Sequence, residues 1–226
     1  MTLSLKDITK IANAEIFFAE RMKGRKFSGV STDSRTVKEG DIFFALGGER
    51  FDGHNFVQNV LEKKAAAIVV ELQWYRQNVH LVEQSISAAV VVPDSTKALG
   101  KLARIYRNKF SIPVLAIGGS NGKTTTKEMI GAVLKEKFNV LKTEGNLNNH
   151  IGVPQTLFRL TPKQEIAVLE FGTNHSGEMK YLCDVAAPTH ALITNIGKEH
   201  LEFFGDEKGV AKEESELFRA VAAEGF

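Results

Sequence analysis

Apolar positions along this chain change period several times, and the changes mark its elements. Near the start, Leu5, Ile8, Ile11 and Ala12 share one helical face behind Ser4-Leu5-Lys6-Asp7, which has the form of a capping box and predicts a short helix. Val30-Ser31-Thr32-Asp33-Ser34-Arg35 reads as a strand end passing into a polar loop, and Asp41-Ile42-Phe43-Phe44-Ala45-Leu46 as a strand stopped by Gly47-Gly48. After the loop Glu49-Arg50-Phe51-Asp52-Gly53-His54, a helix over 54–66 presents Phe56, Val57, Val60 and Leu61 on one face and leads into strand Ala67-Ile68-Val69-Val70. Strand Ala89-Val90-Val91-Val92 ends at Pro93. A helix capped by Asp94 or Ser95 then turns Leu99, Leu102, Ala103, Ile105 and Tyr106 inward before Pro113 resets the chain. This half is α/β, and a domain boundary is expected near Pro93.

From there the order is regular. Strands are predicted over 114–118, 139–142, 165–171 and 190–196, and helices over 123–137, about 152–160, 176–186 and 208–222. Such alternation implies right-handed crossovers, a mostly parallel sheet and ligands at the carboxyl ends of the strands. The unusual polar residues all fall at those ends: the loop holding Lys123, then residues 146–150, 170–175 and 195–200. The last residues, Ala223-Glu224-Gly225-Phe226, come directly after a helix, where a further strand is expected to cover the sheet edge, so a fragment is expected.

The stretch Val114-Leu115-Ala116-Ile117-Gly118-Gly119-Ser120-Asn121-Gly122-Lys123-Thr124-Thr125-Thr126 carries the most specific chemistry. A buried strand delivers the chain to a glycine turn whose backbone N–H groups can close around an anion, and the next helix points its positive end at it. Lys123 would meet the β- and γ-phosphates of a nucleotide and Thr124 a Mg²⁺. The strict pattern G-x-x-x-x-G-K-[ST] is not met, since Ile117 stands at its first position. A turn that merely joins strand to helix would also carry these glycines.

Composition narrows the class. At 226 residues and 43% apolar content the chain can build one large or two ordinary domains with a proper core. The 29 basic and 27 acidic residues are interspersed, net charge +2, so no basic stripe argues for nucleic acid. One cysteine, Cys183, excludes an internal disulfide framework and fits a reducing compartment. No apolar run reaches the ~18 residues of a membrane span, and Lys6, Asp7 and Lys10 interrupt any secretion signal. A cytoplasmic location is expected. Glu170 closes the apolar strand Ile166-Ala167-Val168-Leu169, where an acid beside a phosphate loop can hold Mg²⁺ directly or through water; a solvent-facing strand-end acid would look the same. His200 gains interest only from its place after the fourth strand.

Together these segments resemble the Mur ligases, the ATP-dependent enzymes that build the peptide of bacterial peptidoglycan. The resemblance spans nearly the whole chain: Thr32-Asp33-Ser34-Arg35, the segments 40–46 and 49–54, Gly119-Ser120-Asn121-Gly122-Lys123-Thr124-Thr125-Thr126-Lys127-Glu128, Gly145-Asn146-Leu147-Asn148-Asn149-His150-Ile151-Gly152-Val153-Pro154, Glu170-Phe171-Gly172-Thr173-Asn174-His175, and Thr194-Asn195-Ile196 through His200-Leu201. It implies a small UDP-muramoyl-peptide-binding domain over 1–92, an incomplete P-loop ATP-binding domain over 93–226, and an absent C-terminal domain. The shortened phosphate loop is that family's form.

The resemblance further implies that Gly119, Ser120, Asn121, Gly122, Lys123, Thr124 and Thr125 hold ATP, with Asn195 near the adenine. Thr124 and Glu170 would bind one Mg²⁺ and His200 help bind a second, which makes Lys123, Glu170 and His200 the catalytic candidates. Ser34, Arg35, Glu49, Arg50 and Phe51 would contact the UDP part, and Asn146 and Asn149 the muramoyl-peptide. Asp33 with Arg35 would equally make a loop salt bridge, and the asparagines would equally serve turns. One departure stands out: the family's metal-supporting carbamylated lysine falls at Glu214, with Lys212 nearby. Glutamate is already a carboxylate, so Glu214 is expected to do that job unmodified.

The member most resembled adds D-alanyl-D-alanine to UDP-N-acetylmuramoyl-tripeptide through an acyl phosphate, which implies ATP, Mg²⁺ and those two substrates, a monomer, and weak turnover without the third domain. Rivals are a Mur-type ligase adding another amino acid, a P-loop switch or kinase, and a catalytically dead UDP-sugar-binding module. The chain has no guanine-reading Asn-Lys-x-Asp, and a kinase would leave 32–54 unexplained.

Overall fold

The uncharged runs before Glu71 and Pro93 lie in the middle of a sheet, because a strand paired on both edges and covered on both faces is apolar at every position. The computed structural model describes residues 3–25, 27–48 and 51–222. They form two compact units, Met1–Tyr106 and Arg107–Phe226.

In the first unit, β1 (Glu15–Phe17), β2 (Val30–Ser31), β3 (Ile42–Phe44), β4 (Ala67–Glu71) and β5 (Ala88–Val92) form one sheet in the order β1-β5-β4-β3-β2. β2 through β5 run parallel, while β1 pairs antiparallel with β5. The helices are α1 (Leu5–Ile8), α2 (Val57–Glu62), α3 (Leu72–Glu83) and α4 (Ser95–Arg107). Phe43, Val57, Val60, Ile68, Val70, Tyr75, Val82 and Val91 meet in the core. The expected capping box is present: the Asp7 carboxylate accepts from the Ser4 N–H at 2.8 Å and its hydroxyl at 2.9 Å, although α1 lasts a single turn. The predicted helix over 54–66 starts instead as a 3₁₀ turn, Gly53–Phe56, because the Asp52 side chain caps the His54 N–H at 2.9 Å and tightens the entry.

The division between units falls after Tyr106, beyond the expected break at Pro93. The reason is packing. α4 buries Leu99, Leu102, Ala103 and Tyr106, and its first residue, Ser95, donates from backbone and hydroxyl to the Glu71 carboxylate at the end of β4. Pro93 ends a strand, and the helix after it still belongs to the first sheet.

In the second unit, β6 (Val114–Gly118), β7 (Val140–Lys142), β8 (Ile166–Glu170) and β9 (His190–Ile193) form an all-parallel sheet in the order β7-β8-β6-β9. The register sets Ile117 opposite Glu170 on one side and Leu192 on the other, so three strands end level and their following loops share one edge. The helices are α5 (Lys123–Lys135), α6 (Gly152–Leu157), α7 (Glu178–Ala186), α8 (Leu201–Phe204) and α9 (Glu207–Ala222). Arg107 enters this unit as a buried guanidinium donating to the carbonyls of Ala186 at 3.0 Å and Ile112 at 3.1 Å, which fixes the start of β6 against the end of α7. Residues 223–226, where the sequence suggests a chain stopping short, lie outside the described residues. No described helix is long and apolar enough to cross a membrane.

The segment after β7 is anchored by turn chemistry. Asn149 Oδ1 accepts from the N–H groups of Ile151 at 3.1 Å and Gly152 at 2.9 Å, and Gly152 lies against the backbone of Leu147, where any Cβ would overlap main-chain atoms. Backbone cannot rotate aside as a side chain does. Gly152→Ala is therefore expected to cost about 1–3 kcal/mol, read as a lower urea midpoint at unchanged m-value.

Candidate active site

The geometry begins with the glycines. Gly119 has φ +111° and Gly122 φ +80° at the cap of α5, left-handed values that favour glycine, and a Cβ on Gly119 would sit 2.8 Å from the Asn195 carbonyl oxygen. The loop they form is clamped from β9. Ser120 N–H donates to the Asn195 carbonyl at 3.0 Å, Asn121 N–H to Asn195 Oδ1 at 3.1 Å, and Asn195 Nδ2 and the Thr194 hydroxyl both donate to the Asn121 carbonyl, at 3.1 and 2.6 Å. β9 stops at Ile193, short of the expected 196, because Thr194 and Asn195 turn to make these bonds. Lys123 Nζ rests on the carbonyls of Gly119 and Ser120 and stands 3.7 Å from Glu199, whose other oxygen accepts from the Ser120 hydroxyl at 3.0 Å.

At the neighbouring strand end, Glu170 is buried. Its Oε1 accepts from the Thr124 hydroxyl at 3.1 Å and from Asn148 Nδ2 at 3.0 Å, and its N–H donates to the Thr143 hydroxyl. Its Oε2 has no hydrogen-bond partner among the described residues, although Lys127 Nζ lies 3.5 Å away. A buried carboxylate oxygen beside a hydroxyl, with spare capacity for a cation, fits the expected Mg²⁺ role of Thr124 and Glu170.

Glu214 lies on the buried side of α9 and Lys212 on the exposed side. One Glu214 oxygen accepts from the Gly119 N–H at 2.6 Å and the other from the Thr173 hydroxyl at 3.3 Å. Burial pushes its carboxyl up to about 7, against the lowering effect of the Gly119 hydrogen bond and Lys123. Its neighbour Glu213 accepts from the N–H groups of Gly177 and Met179 and so holds the N-terminus of α7. His200 adopts a left-handed backbone, φ 45° and ψ 38°, at the cap of α8, with its ring edge-on to Phe204. Glu170, His200 and Glu214 are not gathered into one metal-holding group among the described residues.

The remaining candidates sit on loops. In the first unit, Arg35 Nε and Nη2 donate to the two Asp33 oxygens at 2.9 and 2.7 Å, and these bonds hold the Asp33 carboxyl down to about 2. Lys63 Nζ donates to the Ser34 carbonyl at 2.7 Å and steadies the same loop. Phe51 is exposed and stacks on Phe56 with centroids 5.3 Å apart, while Glu49 and Arg50 lie outside the described residues. In the second unit Asn149 is engaged in its own turn, and Asn148, rather than Asn146 or Asn149, reaches Glu170. Sequence reasoning missed Asn148, Lys127 and Glu199. Asn148 was visible only as one member of an asparagine cluster.

A level row of strand ends, a glycine loop with its lysine, and a hydroxyl paired with a buried acid have the arrangement expected of a phosphate-binding loop. Two profiles cover most of the chain: the Mur ligase family, catalytic domain, matches residues 26–107 and the Mur ligase middle domain residues 117–226. The chain belongs to the Mur ligase family. It is 38% identical to the UDP-N-acetylmuramoyl-tripeptide--D-alanyl-D-alanine ligase of Escherichia coli over 226 residues, which is 100% of the chain and 47% of that protein. The ligase of the same name from Bacillus subtilis is 41% identical over 197 residues, 87% of the chain and 42% of the relative. Among solved structures, MurF from Acinetobacter baumannii matches with TM-score 0.87 and 36% identity over 98% of this chain and 47% of that one. MurF from Thermotoga maritima in complex with ADP matches with TM-score 0.76 and 36% identity over 85% and 43%. The chain thus spans about half the length of the relatives it matches.

The raised pKa of Glu214 makes stability depend on pH in a definite sense. Its folded value near 7 exceeds the ordinary 4.5, so the stability it contributes is complete below pH 4.5 and is lost as pH rises through about 7. Glu214→Gln, which keeps an acceptor for Gly119, is expected to flatten that decline by roughly 3 kcal/mol between those limits. Denaturant melts of both proteins across that range check it.

Proposed function

We propose that this chain supplies the nucleotide-binding and UDP-precursor-binding parts of an ATP-dependent amide ligase of peptidoglycan precursor synthesis. Its substrates are UDP-N-acetylmuramoyl-tripeptide and D-alanyl-D-alanine, joined through an acyl phosphate. The observation that carries the reading is the pairing of Thr124 with Glu170 beside Lys123, at level strand ends, in a chain related along its length to ligases of that name.

The chemistry asks little covalent work of side chains. A peptide carboxylate must approach a phosphate chain, and the repulsion between two anions has to be relieved. Lys123 is well suited: its ammonium is parked on loop carbonyls and near Glu199, and an entering phosphate takes over those interactions. Glu214 and Asn195 take the N–H groups of Gly119, Ser120 and Asn121 and so fix the turn, which leaves the amides at the start of α5 to meet the anion. Thr124 and Glu170 would hold a Mg²⁺, whose charge would neutralise that of the phosphates.

His200 sits in a conformation that costs a non-glycine residue on the order of 1 kcal/mol, which supports a role at the site, here the second cation. Glu214 serves that side with an unmodified carboxylate, and Asn195 borders the adenine. Ser34, Arg35 and Phe51, with Glu49 and Arg50, take the UDP part, and Asn146 and Asn149 the muramoyl-peptide.

With Mg²⁺ and ADP at saturation, the 226-residue chain is expected to gain on the order of 5 °C in melting midpoint, and Lys123→Ala to abolish the gain. In a longer chain carrying the remaining domain, phosphate release from ATP should require both UDP-muramoyl-tripeptide and D-alanyl-D-alanine. Lys123→Ala should lower kcat by ~10²–10³-fold. Release supported by another amine in preference to the dipeptide would replace this substrate assignment, and no nucleotide effect on the wild-type midpoint would remove the ATP site.

A further inference from the structure

Lys127 is the most buried charged side chain near the site, 1% exposed, and nothing in the mechanism above uses it. A lysine so placed needs a partner, because an uncompensated ammonium away from water is strongly disfavoured. Its partners are two carboxylates: Glu128 at 3.3 Å, half-exposed and also bound by Lys142, and Glu170 at 3.5 Å, itself only 3% exposed. The Glu170 side chain is unevenly served. Its Oε1 takes hydrogen bonds from Thr124 and Asn148, whereas its buried Oε2 has no hydrogen bond and faces Lys127 alone among the described cations within ion-pair range. At 3.5 Å the ammonium offsets the charge without the 2.7–2.9 Å contact that would make a strong charge-assisted bond.

We propose that Lys127 is the resident counter-ion of Glu170, a positioning residue that balances and orients the carboxylate until a divalent cation arrives and keeps the empty site from binding that cation tightly on its own. The inference rests on the reading of Thr124 and Glu170 as the Mg²⁺ site. Its physical basis is that one buried acid faces two cations, one built in and one that comes with the nucleotide. Like charges close together oppose each other, so the built-in cation weakens the site for free Mg²⁺. The phosphates, by bringing negative charge, restore the balance. Metal therefore enters with nucleotide rather than ahead of it.

Melting midpoints of the 226-residue chain, taken with a chelator and with Mg²⁺ alone, test this directly. In chelator, Lys127→Met should fall on the order of 10 °C below wild type, since it strands a buried charge. Mg²⁺ should recover about half of that loss or more, while moving wild type by ~1 °C or less. Lys127→Arg should behave as wild type. The double variant Lys127→Met with Glu170→Gln should melt above Lys127→Met alone and lose the response to Mg²⁺. A purely structural lysine would lower the midpoint equally with and without metal, and that result, or a Mg²⁺ response persisting in the double variant, overturns the proposal. Should Lys127→Met not fold, recovery of folding in the double variant supports the pairing and its absence contradicts it. Stabilisation of wild type by Mg²⁺ with ADP reports separately on the nucleotide site, so failure there and failure here are told apart.

Discussion

The second unit is organised by the need to hold one shape in the glycine turn at the end of β6. Unoccupied peptide donors tend to find partners, and a glycine turn left to itself would collapse onto its own carbonyls. Here the shape is imposed from outside the loop. Asn195 and Thr194 grip Asn121 and Ser120 from β9, and the Glu214 carboxylate takes the Gly119 N–H from α9. β6 lies between β8 and β9, so a loop leaving it can be reached from both sides. The parallel sheet thus provides both the strand that delivers the chain and the neighbours that set its curvature.

Charge is arranged on the same edge with the same logic. Two buried acids, Glu170 and Glu214, and two lysines, Lys123 and Lys127, lie around the loop, and each acid has at least one hydrogen-bond donor. The two acids are compensated differently. Glu214 uses both oxygens on neutral donors, which only partly offset the upward push of burial on its pKa, whereas Glu170 keeps one oxygen without a hydrogen bond among the described residues. That difference leaves a free oxygen at Glu170 and none at Glu214 among the described residues.

Most of this was legible in the sequence where patterns were long. The run from Val114 to Thr126 fixes a strand, a turn and a helix start with little ambiguity, and the four polar clusters at strand ends gave Lys123, Thr124, Glu170 and Asn195 their positions. Two short elements were not legible: β1 has three residues and α8 four, too few to show a period, whereas α1, equally short, was marked by its capping box. α3 escaped for another reason, since Asn78 leaves the helical region at φ −128° in its middle and breaks the 3.6-residue repeat. The break at Tyr106 was hidden because a proline marks the end of a strand and says nothing about which sheet the next helix packs against. Asn148 was lost in a cluster of asparagines that reads as turn chemistry, and Lys127 was missed because a lysine on a helix reads as a solvated face. Its burial arises only when β8 brings Glu170 across from a distant part of the chain.

The account stands on the loop from Gly119 to Thr125 being a nucleotide-phosphate cradle. Amide ¹H–¹⁵N spectra of the chain titrated with Mg²⁺ and ADP test that most directly. The largest and saturable shifts are predicted at residues 119–125, with smaller ones at Thr194 and Asn195, and none of them in Lys123→Ala. Shifts absent from that loop, or unchanged by the loss of Lys123, would contradict it.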